Sequence, residues 1–245
     1  MSFNLSINFE TFEHLQTFMI EFNKFKKIQE KKINKKIDEI ATNKTTALLA
    51  KRNSGKSVLL KHLVESEKHK FAKIFVICPT EKINRFYSDI VDDECIYDSY
   101  EEKIVDKLIS KMTEINANKP NKARKNILLI LDDVVSDHNF HQSPTLKKLF
   151  VRGRHINIAI ILTFQYLNLI PPVARNNLDT LFVGQMNKQS VDLLVSEFIS
   201  GDISKEDFIK MYNRCTKDYN FLVINNNSVK DDDLNLIYGV VKATL

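Results

Sequence analysis

The chain is poor in the residues that build several protein classes. Its three cysteines, Cys78, Cys95 and Cys215, are odd in number and include no Cys-x-x-Cys pair, which argues against a disulfide framework or a zinc ribbon. Its longest apolar runs, 158–162 among them, are far below the roughly 20 residues needed to span a bilayer, so no membrane segment is expected. The opening residues 1–8 lack the basic start and apolar stretch of a secretory leader. Glycine is scarce, at five in 245 residues, so each one invites a specific reason. There is also no large excess of either charge. The formal net charge is +5, and residues 24–36 alone hold seven lysines against Glu30, a local +6 that leaves the remainder at −1. A uniformly basic nucleic-acid coat is therefore excluded, and a near-neutral body carrying a basic arm is expected. With 43% hydrophobic residues the chain has ample material for a core, which excludes wholesale disorder. A soluble, intracellular protein is the expectation.

Residues 10–40 contain neither Pro nor Gly, and Phe12, Leu15, Phe18, Met19, Phe22 and Phe25 recur at helical steps. Residues 1–42 are therefore predicted to form a basic amphipathic helical arm. It either docks its Phe/Ile stripe on the body with its lysines solvated, or bears on nucleic-acid phosphates or a neighbouring subunit. From residue 44 the pattern changes. The runs 45–50, 73–78, 127–132, 157–163, 180–184 and 220–224 are nearly continuous in aliphatic and aromatic residues, as in strands of a parallel sheet covered on both faces. Helical segments such as 56–66 and 100–116 lie between them, so the fold class is α/β. The main domain is assigned to residues 43–230, and 231–245 to a C-terminal tail.

The first strand runs into Ala50-Lys51-Arg52-Asn53-Ser54-Gly55-Lys56-Ser57, and a helix follows. This is the x4-Gly-Lys-Ser spacing of a P-loop in strand–loop–helix context. Successive backbone N–H groups at a helix N-terminus suit phosphate, and Gly55 lets the backbone curl. Lys56 would reach the β- and γ-phosphates of ATP, and the Ser57 hydroxyl would ligate Mg²⁺. Ala50 stands where the motif usually begins with Gly. It leaves the strand there, with dihedrals that Ala can adopt. The complementary half of such a site is a buried strand ending in acid, and 126–133 supplies it with five aliphatics followed by Asp132 and Asp133. Adjacent strand residues face opposite ways, so the two acids have separate jobs. Asp132 is assigned to Mg²⁺, and Asp133 to orienting or deprotonating the attacking water. The apolar strand ending in Thr163 and Gln165 suggests a sensor of the γ-phosphate or of that water.

The P-loop, the Asp-tipped strand, the stretch from Gly153-Arg154-His155 to Gln165, and Pro171-x-x-x-Arg175-x-Asn177 come in this order. Together they resemble the DNA-packaging ATPases of nucleocytoplasmic large DNA viruses, poxvirus-type members of the FtsK–HerA superfamily. The resemblance covers about residues 44–225. It implies a three-layer P-loop NTPase of the additional-strand type with a mainly parallel central sheet and an N-terminal helical extension. It also implies an ATP-driven motor that works as a ring and threads viral double-stranded DNA into a capsid, with capsid-vertex proteins as further partners and the viral factory of the host cytoplasm as its place. In that family the sensor strand lies between the P-loop strand and the acid-tipped strand, so Gln165 would face both Ser57 and Asp132. Ring ATPases of this kind use an arginine from the adjacent subunit. Among seven arginines, Arg154 and Arg175 are the candidates.

Other readings are weaker. A GTPase would want Asp-x-x-Gly after the acid strand and Asn-Lys-x-Asp for guanine, whereas 132–135 has no Gly and 187–190 ends in Ser190. A small-molecule kinase would want an arginine-rich lid, which is absent from the sequence. A catalytically silent ATP-binding subunit of a viral assembly is suggested only by Ala50 and by Asp133 in place of Glu. His138 and His141 beside Asp137 read as a polar loop rather than a metal site, and His155 as a packing residue.

Overall fold

The computed structural model describes residues 43–134, 140, 142–198, 204–226 and 238–243. The basic arm assigned to 1–42 and the His138/His141 loop lie outside these residues. Eight strands form one sheet: β1 (Thr45–Leu49), β2 (Lys73–Ile77), β3 (Ile96–Tyr97), β4 (Ile127–Asp132), β5 (Ile158–Phe164), β6 (Thr180–Val183), β7 (Asn220–Asn225) and β8 (Tyr238–Lys242). Their spatial order is β3-β2-β4-β5-β1-β6-β7-β8. The five pairings from β3 across to β6 are parallel, while β6–β7 and β7–β8 are antiparallel.

The continuous apolar runs follow from cover on both faces. Along β4, Ile127, Leu129 and Leu131 enter one core, and Leu128 and Ile130 enter the other. Along β1, Ala47 and Leu49 face the first core, Leu48 and Ala50 the second. The second face is covered by helix α1 (Lys56–Glu67) through Leu59, Leu60, Leu63 and Val64, together with Tyr87, Val91 and Cys95. The first face is covered by α2 (Glu102–Asn116), α3 (Pro144–Arg152), α4 (Lys188–Phe198) and α5 (Lys205–Cys215). Start signals are local: the Ser143 and Ser204 side chains accept from Leu146 N and Asp207 N, and Pro144 opens α3.

All six predicted strands are present, β7 with reversed direction. Two helices, α4 and α5, separate β6 from β7, so the chain re-enters the sheet antiparallel. Two strands were not predicted. β3 is only two residues long, too short for any periodic signal. β8, within the segment assigned to a C-terminal tail, pairs Phe221 with Val241 and so extends the sheet. The register brings the C-terminal ends of β1, β4 and β5 level, with Leu49 opposite Phe164 and Thr163 opposite Asp132. Ligands of open parallel sheets bind at that edge.

Candidate nucleotide site

The loop from Ala50 to Ser57 leaves β1 between two neighbouring strand ends. Ala50 N donates to Phe164 O at 3.3 Å and Lys51 N to Gln185 O at 2.8 Å. Asn53 and Gly55 take left-handed backbone, with φ of 57° and 88°, so the loop curls back to start α1. Glycine suits that conformation without a Cβ clash. No side chain caps α1, and no acid stands in its first turn. Its free N–H groups and the positive end of its dipole are thus available to an anion. Lys56 Nζ donates to the carbonyls of Ala50 at 2.6 Å and Lys51 at 3.1 Å, so the ammonium is folded over the loop. Burial lowers its pKa, while the Asp133 and Asp132 charges oppose that shift.

Ala50 in place of Gly is explained by Gly184 at the end of β6. A Cβ on Gly184 would meet the Ala50 Cβ at 2.8 Å and the Phe221 ring at the same distance. The methyl that the loop carries at residue 50 occupies the space that the neighbouring strand leaves empty. The segment after Gly184 is held by Tyr212 of α5, whose hydroxyl donates to Gly184 O at 2.9 Å and accepts from Met186 N at 2.8 Å. Burial pushes that phenol up to about 12.

The two acids have different surroundings, as their opposite directions require. The Asp132 carboxylate accepts from the Thr163 hydroxyl, from the Tyr87 hydroxyl at 2.9 Å, and from the Cys78 thiol at 3.6 Å. Asp133 ends the strand in left-handed backbone, φ 54°, with its N–H donating to Thr163 Oγ1 at 3.2 Å. Its carboxylate accepts from the Gln165 side chain. Burial raises the Asp133 pKa, aided by the Asp132 charge and opposed by Lys56, the Gln165 hydrogen bond and Arg52. The two acids therefore differ: Asp132 is held by three donors, while burial beside the Asp132 charge raises the Asp133 pKa.

A cleft of about 730 Å³ opens beside this edge, lined by Lys51, Arg52, Thr80, Asp133, Gln165 and Tyr166 among others. The donor set fits a triphosphate with Mg²⁺. An anion-binding loop adjoins an exposed Ser57 hydroxyl and half-buried carboxylates, and hydroxyl and carboxylate oxygens are the ligands this hard cation takes.

Lys56, Ser57, Asp132, Asp133 and Gln165 thus gather at one edge, with β5 between β1 and β4 as the sensor-strand expectation required. Neither candidate arginine joins them. Arg154 is exposed in the turn Gly153–Ile156 that precedes β5, at the opposite end of the sheet. It lines a small polar pocket with Asn176, Asn177 and Asp179. Arg175 is mostly buried, paired to Glu197 at 2.6 Å and donating to Ile170 O at 2.7 Å. Asn187, the first residue of the Asn-Lys dipeptide, accepts from Ser190 N at 2.8 Å and so caps α4.

Tyr87 and Gly184 escaped the sequence reading. Tyr87 lies in an irregular segment stapled by buried Glu81, whose carboxylate accepts from Phe86 N, Tyr87 N, Ser88 N and Ser88 Oγ at 2.8–3.1 Å. An acid flanked by Thr80 and a Tyr six residues on has no recognisable motif.

The chain is similar to proteins of several large DNA viruses. The uncharacterized protein 075L of Invertebrate iridescent virus 6 is 31% identical over 183 residues, 74% of this chain and 70% of the relative. The uncharacterized protein 015R of Frog virus 3 is 26% identical over 200 residues, 81% of this chain and 62% of the relative. The genome packaging NTPase B204 of Sulfolobus turreted icosahedral virus 2, solved in complex with AMPPCP, shares the fold. Its TM-score is 0.58 at 17% identity, covering 83% of this chain and 99% of B204. The Poxvirus A32 protein family matches residues 31–241. The chain belongs to the Poxvirus A32 protein family.

Proposed function

We infer that this chain is an ATP-hydrolysing motor of viral genome packaging, moving double-stranded DNA into a capsid as a ring of identical subunits. The observation that carries this reading is the shared edge at which the uncapped α1 N-terminus, the Asp132–Asp133 pair and Gln165 end three adjacent strands in the order β4-β5-β1. The fold likeness to a viral genome packaging NTPase and membership of the A32 family support the packaging role.

Within that reading the loop N–H groups cradle the phosphates, and Lys56 leaves its carbonyl partners to bind the β- and γ-phosphate oxygens. Ser57 and Asp132 would hold Mg²⁺, which neutralises charge on those oxygens when bound. Thr163, Tyr87 and Cys78 fix the Asp132 carboxylate so that little reorganisation is needed. Asp133 accepts a proton from the attacking water. A raised pKa suits a carboxylate to that task, because proton transfer to it is less uphill. Gln165, already on Asp133, orients the same water. Phosphate leaves with the water's oxygen, and ADP with the bridging one.

Arg154 is the better candidate for the arginine that serves a neighbouring subunit. It is exposed and far from its own loop, whereas Arg175 is held by Glu197 and the Ile170 carbonyl. The host-cytoplasmic viral factory is the proposed place of action. Among the described residues no helix is long and apolar enough to cross a membrane.

The test is phosphate release from ATP with and without linear duplex DNA, beside a native-mass measurement. Stimulation by duplex and loss of turnover in Lys56→Ala are expected. A DNA-indifferent rate would remove the motor, and undiminished turnover in Lys56→Ala would remove the phosphate site.

A further inference from the structure

A nucleoside triphosphate is an extended molecule, and the site fixes which way it lies. Asp133 and Gln165 mark the γ-phosphate end, on β4 and β5. The sugar and base must therefore leave the loop on its other flank, toward β6 and β7. The flank is walled by the end of β7 and the residue after β8. A Cβ on Gly55 would meet Ala243 Cβ at 3.0 Å, Tyr219 Cδ1 at 3.5 Å and Phe221 Cε2 at 3.7 Å. Phe221 is fully buried, but Tyr219 is 60% exposed, one of the few large hydrophobic side chains open to solvent among the described residues. Both rings stand within 4 Å of the Gly55 Cβ position, so the Tyr219 ring, carried by the turn just before β7, continues the Phe221 wall outward beside the phosphate loop.

The backbone holds the ring there at a cost. Asp218 and Tyr219 are consecutive left-handed residues, φ 55° and 62°, a conformation uncommon for a bulky side chain. Ala243 N donates to Tyr219 O at 3.0 Å and pins that turn to the end of β8. Strained backbone that presents an exposed aromatic ring beside an anion site is the arrangement expected of a ligand clamp. The sequence offered no sign of it, because Tyr219 follows Lys217 and Asp218 in an unremarkable turn.

We propose that Tyr219 is the platform on which the base of the bound nucleotide stacks. The proposal rests on the triphosphate reading of the phosphate loop. Stacking uses the π-face that every base possesses, so ATP and GTP gain from Tyr219 alike. The phenol oxygen is not needed, so Phe at 219 serves as well as Tyr.

Equilibrium binding of ATP, GTP and inorganic tripolyphosphate to the full chain tests this. Tyr219→Ala is expected to weaken ATP and GTP each roughly tenfold, the low-to-middle range for losing one base–aromatic stack, with tripolyphosphate unchanged. Tyr219→Phe should match the parental chain for all three. Unchanged ATP affinity in Tyr219→Ala overturns the proposal. So does a parallel loss of tripolyphosphate, which would mean that the ring only props the loop. A parental chain that fails to bind tripolyphosphate sinks the phosphate-site reading itself, an outcome distinct from either.

Discussion

At the scale of single residues, the substitution of Ala50 into a glycine position and the glycine at 184 form one compensated pair. The structure makes the dependence one-sided. Ala50→Gly removes a methyl from a filled space, whereas Gly184→Ala adds one where 2.8 Å separates it from both Ala50 and Phe221. Gly184→Ala is expected to destabilise the fold by about 1–3 kcal/mol, the usual cost of overpacking, and to impair nucleotide binding because Lys51 is bonded to the adjacent Gln185. Denaturant unfolding checks the first part. The double variant Ala50→Gly/Gly184→Ala should recover only the part of the loss due to the Ala50 contact, because the buried Phe221 ring still stands 2.8 Å from the added methyl; no recovery at all would dissociate the two sites. Gly55 is different: its φ of 88° would strain any side chain whatever the space around it.

Among elements, the segment from Glu81 to Tyr87 shows how a loop can serve a strand. Glu81 ties down the backbone at 86–88, and Tyr87 then reaches across to Asp132 at the tip of β4. Tyr87→Phe keeps the buried ring but deletes the donor to a carboxylate, an interaction worth roughly 1.5–3 kcal/mol when charged groups are involved. Turnover should fall about tenfold or more with the Mg²⁺ requirement shifted upward, while the KM for ATP moves little. A variant whose Mg²⁺ dependence is unaltered would make Tyr87 a packing residue only. The strands and the phosphate loop were legible in the sequence because their signals are local: two-faced apolar runs and fixed motif spacing. Tyr87, Gly184 and Tyr219 were not, because each acts on a partner 45, 134 or 164 residues away (Asp132, Ala50 and Gly55), and only the sheet order brings them together. The direction of β7 was equally hidden, since a run such as 220–224 reads the same in either sense and the pair of helices before it sets the direction.

For the whole molecule, the proposed mechanism draws every group from one chain except the arginine proposed to come from a neighbour. Mixing subunits tests that arrangement. Arg154→Ala and Lys56→Ala chains should each be nearly inactive alone. Mixed rings should regain hydrolysis, because an intact Arg154 can then face an intact phosphate loop. The loss from a missing finger is expected to be on the order of 10³-fold or more in rate. Absence of any regain would place the finger elsewhere or remove it. The route between the two ends is already built. β5 begins two residues after the turn that carries Arg154 and ends one residue before Gln165, and all seven of its residues are buried between β4 and β1. A strand of that length spans about 23 Å, and the ladders along both flanks fix its register against its neighbours. On the proposed reading it is a strut: one buried strand joins the residue that senses a subunit's own phosphate to the arginine that serves the next, so the two ends of neighbouring sites are tied through a single rigid element.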